Sequence, residues 1–389
     1  MKQYHFDQEI SRYHTYSAKW DEALLRHQRR VFPLSVADMD LPTAPAIIDT
    51  IQQANNGIYG YTILGEHYQQ TVANWLARHY DFQAEPTEIV HCPRVIQAIS
   101  LYLQHFTATD DAVGIFMPSY SPVVNCVTLN QRTLIPCALR YNGQGYEIDE
   151  AELTACFQRI RVFILISPHN PTGIVWNAEQ LGLIARLAEQ YGVFVIADEV
   201  HADFVFGKKH TVLASVSDYL AQHSMICTSP AKSFNLPGLE ISNIIIKNAK
   251  VRSDFEKILQ RTGFHNPNYF SVPALYCAYT QCDEWLLQLK DYIAENKRIV
   301  TACFAEKLPQ LVVCPTDGTY LLWINYTDLS LTPEQFKQRI LTHANIELAW
   351  GEDFGEEGKG FFRLNTALPQ ARLRACLDRI CFALTTEKE

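Results

Sequence analysis

Few of the signatures that announce a metal site, a nucleotide loop or a membrane anchor occur in this chain of 389 residues. Its eleven cysteines include no C-x-x-C pair, and no H-E-x-x-H occurs, so no zinc pattern is present and no metal is expected. No G-x-G-x-x-G joins an early strand to a helix, which excludes a dinucleotide-binding dehydrogenase. No apolar run approaches the about 18 residues that a membrane helix needs. The opening MKQYHFDQEI is too polar for a secretory leader. There is no basic arm and no long Lys/Arg run, and net charge is −9, so nucleic acid is not an expected partner. The cysteine count is odd, and the closest pairs are Cys277/Cys282 and Cys376/Cys381. Scattered cysteines of this kind read as small buried apolar residues in a reducing compartment rather than as a disulfide frame. A cytoplasmic protein is the expectation.

What is present is a large apolar content, 48% of residues, enough for a substantial core. Length alone suggests two or three domains. Residues 1–45 read as irregular. Helical spacing of apolar residues marks 67–80, 95–106 and 179–191, and short continuous apolar runs mark strands at 112–117, 161–166 and 193–197. MICT (225–228) and NIIIK (243–247) extend the series. Apolar strands alternating with helices predict an α/β fold with a mostly parallel central sheet flanked by helices. After about 283 the pattern changes. One long helix is expected to leave the first unit, TYLLWINY (319–326) alternates like a half-exposed strand, and a helix near 333–344, the strand GFFRLN (360–365) and a helix near 370–384 follow. These predict a smaller α+β domain. The expected division is 46–283 for the large domain, with 1–45 and 284–389 forming the small one.

In open α/β sheets, ligands bind outside the carboxyl ends of the strands. Three apolar runs here end in reactive side chains. RVFILI is followed by SPHNPTG with Asn170, VFVIA by Asp198 in DEVH, and MICT by SPAK with Lys232. Each has a plain structural reading: a turn, a helix cap, a surface lysine. Their order and strand-end positions make the combination the informative feature.

Asp198 follows Asn170 by 28 residues and precedes Lys232 by 34, and the set NPTG, DEVH, SPAKSFN resembles the fold-type I pyridoxal-phosphate enzymes of the aminotransferase class I/II superfamily. SVADMDLPTAP (35–45), SPHNPTGIVW, DEVHADF, SPAKSFNLPGL and FFRLNTALP are similar to the cystathionine β-lyase and C–S lyase subgroup of the MalY/PatB type. The ADMD stretch and the histidine of DEVH discriminate, since general aminotransferases usually carry tyrosine there.

The resemblance implies an aspartate-aminotransferase-like fold and pyridoxal 5′-phosphate as cofactor. It makes Lys232 the lysine that binds the cofactor's aldehyde and then moves the substrate's Cα proton, a role that needs a deprotonated amine. Asp198 would pair with the pyridine nitrogen, Asn170 would bind the ring's phenolic oxygen and adjoin the substrate, and Tyr120 would stack on the ring. The backbone N–H groups of Val95 and Ile96, at a helix start, would take the phosphate, with the Ser229 hydroxyl. Tyr61 in YGYT resembles a tyrosine that reaches the other subunit's cofactor, which implies a homodimer with shared sites. Arg363 would clamp the α-carboxylate of a small amino-acid substrate, and the backbone about Val36 and Ala37 would assist. Alternatives remain at single positions: Tyr61 and Tyr120 can be packing aromatics, and Arg363 a strand ion pair.

Several residues depart from the family pattern. Arg94 stands where subgroup members often have glycine, Glu240 where many aminotransferases have a phosphate-binding arginine, Ile174 where arginine is frequent, and Pro237 where alanine is common. The roles of Arg94, Glu240 and His201 stay open at this point. The function implied is a β-lyase cleaving cystathionine, cysteine or related S-substituted amino acids to thiol, pyruvate and ammonia. The runner-up is an aminotransferase, and the third reading is a cofactor-bearing regulatory protein.

Overall fold

The computed structural model describes residues 2–385, so residues 1 and 386–389 of the expected small domain lie outside the described ones. Seven strands build the central sheet: β1 (Ile89–Cys92), β2 (Ala112–Met117), β3 (Thr133–Ala138), β4 (Val162–Ile166), β5 (Phe194–Asp198), β6 (Ser224–Thr228) and β7 (Ser242–Ile245). Their order is β1-β7-β6-β5-β4-β2-β3. Pairs β2/β3, β2/β4, β4/β5 and β5/β6 are parallel, whereas β7 runs antiparallel to both neighbours. The reading of 243–247 as one more strand of a parallel series is thus corrected in direction. An apolar strand buried on both faces carries the same composition either way.

Alternate side chains of these strands enter two separate cores, as the two-residue strand repeat requires. Phe163, Leu165, Val195, Ala197 and Ile226 face one side, toward the helices Glu66–Tyr80, Ala178–Tyr191 and Ser271–Gln281, whereas α1 (Trp20–His27) contributes Trp20 to the outer core of the second sheet. Val162, Ile164, Ile166, Ile196 and Met225 face the other, against Val95–Phe106 and Ala249–Arg261. Helix α1 was not legible in the irregular reading of 1–45. It spans eight residues and buries only Trp20 and Ala23, too few to print a helical period.

A second sheet is antiparallel throughout. Its strands are β8 (Val312–Val313), β9 (Leu321–Asn325), β10 (Ala349–Trp350) and β11 (Phe361–Asn365), in the order β8-β9-β11-β10. The expectation that 319–326 is half exposed is overturned, because every residue of β9 is buried. Leu321 and Trp323 join the larger core, while Leu322 and Ile324 join an outer core with Phe362, Leu364, Leu373 and Leu377. The strand is a middle layer with no wet face. The long helix Asp283–Lys307 passes from one core to the other: its first half (Trp285, Leu286, Leu289, Ile293) packs into the larger core and its second (Ile299, Val300, Phe304) into the outer one.

All eleven cysteines carry free thiols, ten of them buried. The sulfurs of Cys277 and Cys282 lie 4.0 Å apart and those of Cys303 and Cys381 3.9 Å apart. No helix among the described residues is long and apolar enough to cross a membrane.

Candidate active site

Five strand ends converge at the carboxyl edge of the central sheet. β1 leads through Arg94 into the helix that starts at Val95, and β2 leads to Tyr120 at the start of the helix Ser121–Leu129. β4 leads into the Asn170 turn, β5 ends on Asp198, and β6 leads to Ser229 and the helical turn Pro230–Ser233 that holds Lys232. Asp198 pairs in register with Ile166 and Cys227, which places it between the Asn170 and Lys232 segments.

The Lys232 side chain is half-buried, and its amine donates to the Ala37 carbonyl at 2.5 Å; the Tyr320 hydroxyl donates to the same oxygen at 2.9 Å. Burial lowers the lysine to about 8; among its charged neighbours Arg363 also lowers it, while Asp38 and Asp198 oppose. Asp198 shifts the other way, to about 6, again because burial disfavours its charge; the Val200 N–H, 3.3 Å from Oδ1, and Lys232 pull it back. Arg363 lies in β11 with 4% of its surface exposed. Its Nη1 donates to Asn170 Oδ1 and its Nη2 to the Ser35 carbonyl, both at 2.7 Å. Burial lowers it to about 10, so it stays cationic at neutral pH. Lys232, Tyr120, Ala37, Val36 and Arg363 line one cavity of about 280 Å³.

Other sequence-selected residues have simpler surroundings. The helix at Val95 and Ile96 has no side-chain cap at its start, so its first N–H groups are unclaimed by one. Ser229 donates its hydroxyl to the Ile241 carbonyl at 2.6 Å and accepts from the Ala231 N–H. Arg94 and Glu240, the two departures, pair with each other. Buried His201 packs edge-on to Tyr320 and is held neutral by burial and by the cations Lys232 and Arg363. Tyr61 is not brought to this site; its side chain is 99% exposed.

Composition gave no hint of what fixes the segment Ser35–Leu41. Arg12 bridges Asp38 and Asp40, and Lys19, 1% exposed, meets Asp40 at 2.8 Å. Asn365 Nδ2 donates to the Val36 and Asp38 carbonyls, and Asn235 Nδ2 to those of Met39 and Leu41. The ADMD carboxylates are held by Arg12 and Lys19 and anchor this segment, with Asp38 still near enough to Lys232 to favour its charge. The carbonyls of Ser35 and Ala37 face inward. Asn235 in SFN and Asn365 in RLN sit next to recognisable motifs, which was the available signal.

A half-buried lysine at the mouth of a mostly parallel sheet, beside a buried acid and a buried arginine, is the arrangement of a lysine-centred α/β enzyme. The chain belongs to the aminotransferase class I and II family, whose model matches residues 29–380. It is 34% identical over 385 residues to the cystathionine β-lyase PatB of Bacillus subtilis (98% of this chain, 100% of that one). Its fold superposes on the crystal structure of cystalysin from Treponema denticola, which contains a pyridoxal 5′-phosphate cofactor, with a TM-score of 0.95 at 30% identity (98% and 99% covered). The PLP-bound C–S lyase of Staphylococcus hominis gives 0.92 at 26% (99% of both chains).

Proposed function

We propose that this protein is a pyridoxal-phosphate-dependent C–S β-lyase, splitting cystathionine, cysteine or related S-substituted amino acids into a thiol, pyruvate and ammonia. The observation that carries this reading is the convergence of Lys232 and Arg363 on one amino-acid-sized cavity, in a chain similar throughout to PatB.

The residues present fit the cofactor and an amino acid. Arg363 Nε, His201 Nδ1 and Ser119 Oγ are buried polar atoms without a hydrogen-bond partner among the described residues, and such atoms call for a polar ligand. The uncapped helix start at Val95 and Ile96 suits a phosphate. Ser229 would add its hydroxyl to the phosphate, Asp198 would hold a proton on the ring nitrogen, Asn170 would bind the phenolic oxygen, and Tyr120 would cover a ring face. When bound, pyridoxal phosphate supplies an electron sink for the pair left at the substrate's Cα.

The chain's own residues do the rest. Arg363 grips the substrate α-carboxylate, with Asn170 fixing the guanidinium through Nη1. The Ala37 carbonyl orients the Lys232 amine. A lysine titrating near 8 can take the Cα proton near neutral pH and return a proton to the departing sulfur. Tyr320 and His201, both buried, exclude water behind the lysine.

Two further parts of this reading concern assembly. Tyr61 lies in a loop with Ile58, Tyr59 and Ile63, all exposed; cover by a second copy, with Tyr61 entering that copy's site, makes a homodimer. The division into 46–283 and the remainder, and a cytoplasmic location favoured by the free thiols, complete it.

Pyruvate and thiol formed from cystathionine without any keto-acid acceptor support the lyase. Strict dependence on an acceptor would assign an aminotransferase instead.

A further inference from the structure

The cavity that begins at Lys232 and Arg363 ends at charged residues that the chemistry at Cα does not use. Its outer lining includes Glu22 and Arg26 from α1, Glu347, Asp353 and the apolar Leu348, Ala349, Trp350 and Phe354. Glu347 is buried and fully engaged. Its Oε1 accepts from the Ser35 hydroxyl at 3.0 Å, and its Oε2 faces His27 at 2.6 Å and Arg26 Nη1 at 3.1 Å. That carboxylate is an anchor for the guanidinium. Arg26 Nη2 has only Glu22, loosely, at 3.9 Å, so a carboxylate can take that edge. Asp353 is exposed at the cavity's rim. Arg26 and Lys337 attract its charge and Glu352 repels it, while Lys337 itself bridges to Glu352 at 3.3 Å. Glu22 and Asp353 thus remain as carboxylates for an incoming ammonium. The arrangement is one donor fork beside two acceptors, lining the same cavity as Leu348, Ala349, Trp350 and Phe354.

We propose that Arg26, Glu22 and Asp353 form a second amino-acid head site, which selects substrates carrying a distal ammonium and carboxylate. This rests on the lyase reading and narrows its substrate class to dipolar thioethers or disulfides such as cystathionine and cystine. The near head meets Arg363. The methylenes and sulfur lie along Leu348, Ala349, Trp350 and Phe354. The distal carboxylate binds Arg26, and the distal ammonium binds Glu22 and Asp353. A substrate such as S-methylcysteine fills only the inner half. The reaction is unchanged: the Cβ–S bond breaks, the sulfur takes a proton, and water completes release of pyruvate and ammonia.

The test is the ratio of kcat/KM for cystathionine to that for S-methylcysteine, in wild type and in Arg26→Ala, Glu22→Gln and Asp353→Asn. The expected result is a wild-type ratio well above one, which falls on the order of tenfold in each variant, the size of losing one charge-assisted contact. The fall should lie in KM. Because removing Arg26 also disturbs its Glu347 anchor, the two carboxylate variants keep the test meaningful if Arg26→Ala folds poorly. Calorimetric binding of both compounds to the Lys232→Ala holoprotein, which blocks turnover, should show the same preference and the same loss. A wild-type ratio near one, or a ratio unmoved in Glu22→Gln and Asp353→Asn, overturns the proposal while leaving the lyase reading intact. Turnover of neither compound overturns both.

Discussion

The lowered basicity of Lys232 can be tested without any substrate, in the rate at which the apoprotein takes up pyridoxal phosphate. Only the neutral amine attacks the aldehyde. At pH 7.5 a lysine titrating near 8 is about one quarter neutral, whereas an ordinary one is neutral in about one molecule per thousand. Stopped-flow absorbance across pH 6–11 should therefore give a capture rate that rises and levels off with a midpoint near 8. Arg363→Ala should move that midpoint up, since it removes a neighbouring cation, and Asp38→Asn should move it down. The same shift appears in stability. Between about 8 and the ordinary lysine value of 10.5, the unfolded chain holds a proton that the folded chain has released, so folding gains as pH rises through that window. Below it the cost of burying the charge is fully present, about 3 kcal/mol at about 1.4 kcal/mol per pKa unit. Lys232→Met should raise the apoprotein's urea midpoint at pH 7, and the gain should vanish above about pH 10.5. Lys297, also half-buried and lowered to about 8, contributes equally to both proteins and cancels in the comparison. A capture midpoint at or above 10, or a fast phase that survives in Lys232→Ala, would refute this reasoning.

Three other outcomes are expected. Asp40 is buried and held below its ordinary 3.8, against the cost of burial, by Lys19, Trp20 and Arg12. Its contribution is complete above that value and lost as pH falls through the lower folded one, so Asp40→Asn should flatten the acid limb of a stability profile, and Lys19→Ala should cost about 3–5 kcal/mol in urea unfolding. Arg94 and Glu240 are both substantially exposed, so their effect on the nearby phosphate is small: Arg94→Ala should weaken cofactor retention about threefold and Glu240→Gln strengthen it by a similar factor, read by equilibrium dialysis. At Gly173, φ is +73° and a Cβ would lie 1.8 Å from Thr316 Oγ1. Gly173→Ala should therefore lower the melting temperature by several degrees, with a loss of more than about 1 kcal/mol, and displace Asn170 enough to weaken the Arg363 clamp.

The inner half of the site was legible because its residues follow apolar strands at fixed places in the chain. Asn170, Asp198 and Lys232 were visible as polar residues ending such runs, and Val95–Phe106 showed a helical period over the same residues that form the helix. The supports were not visible. Lys19 and Arg12 look like ordinary surface cations, and only the fold shows Lys19 locked onto Asp40 across 21 positions. The burial of β9 was missed for a different reason. The alternation at 319–326 suggested a wet face, whereas the Trp323 indole donates to the Tyr146 hydroxyl at 3.3 Å and needs no water. Strand direction was equally hidden, because β7 offers its neighbours the same apolar faces in either sense.

The helix Asp283–Lys307 runs for 25 residues and is sunk into both cores. Arg363 is carried by the second sheet and Lys232 by the first, so this strut sets the gauge between the group that grips the substrate and the group that strips its proton. A one-residue deletion within it would rotate one core relative to the other by about 100°, and the enzyme would lose its calliper setting although no reactive residue had been removed.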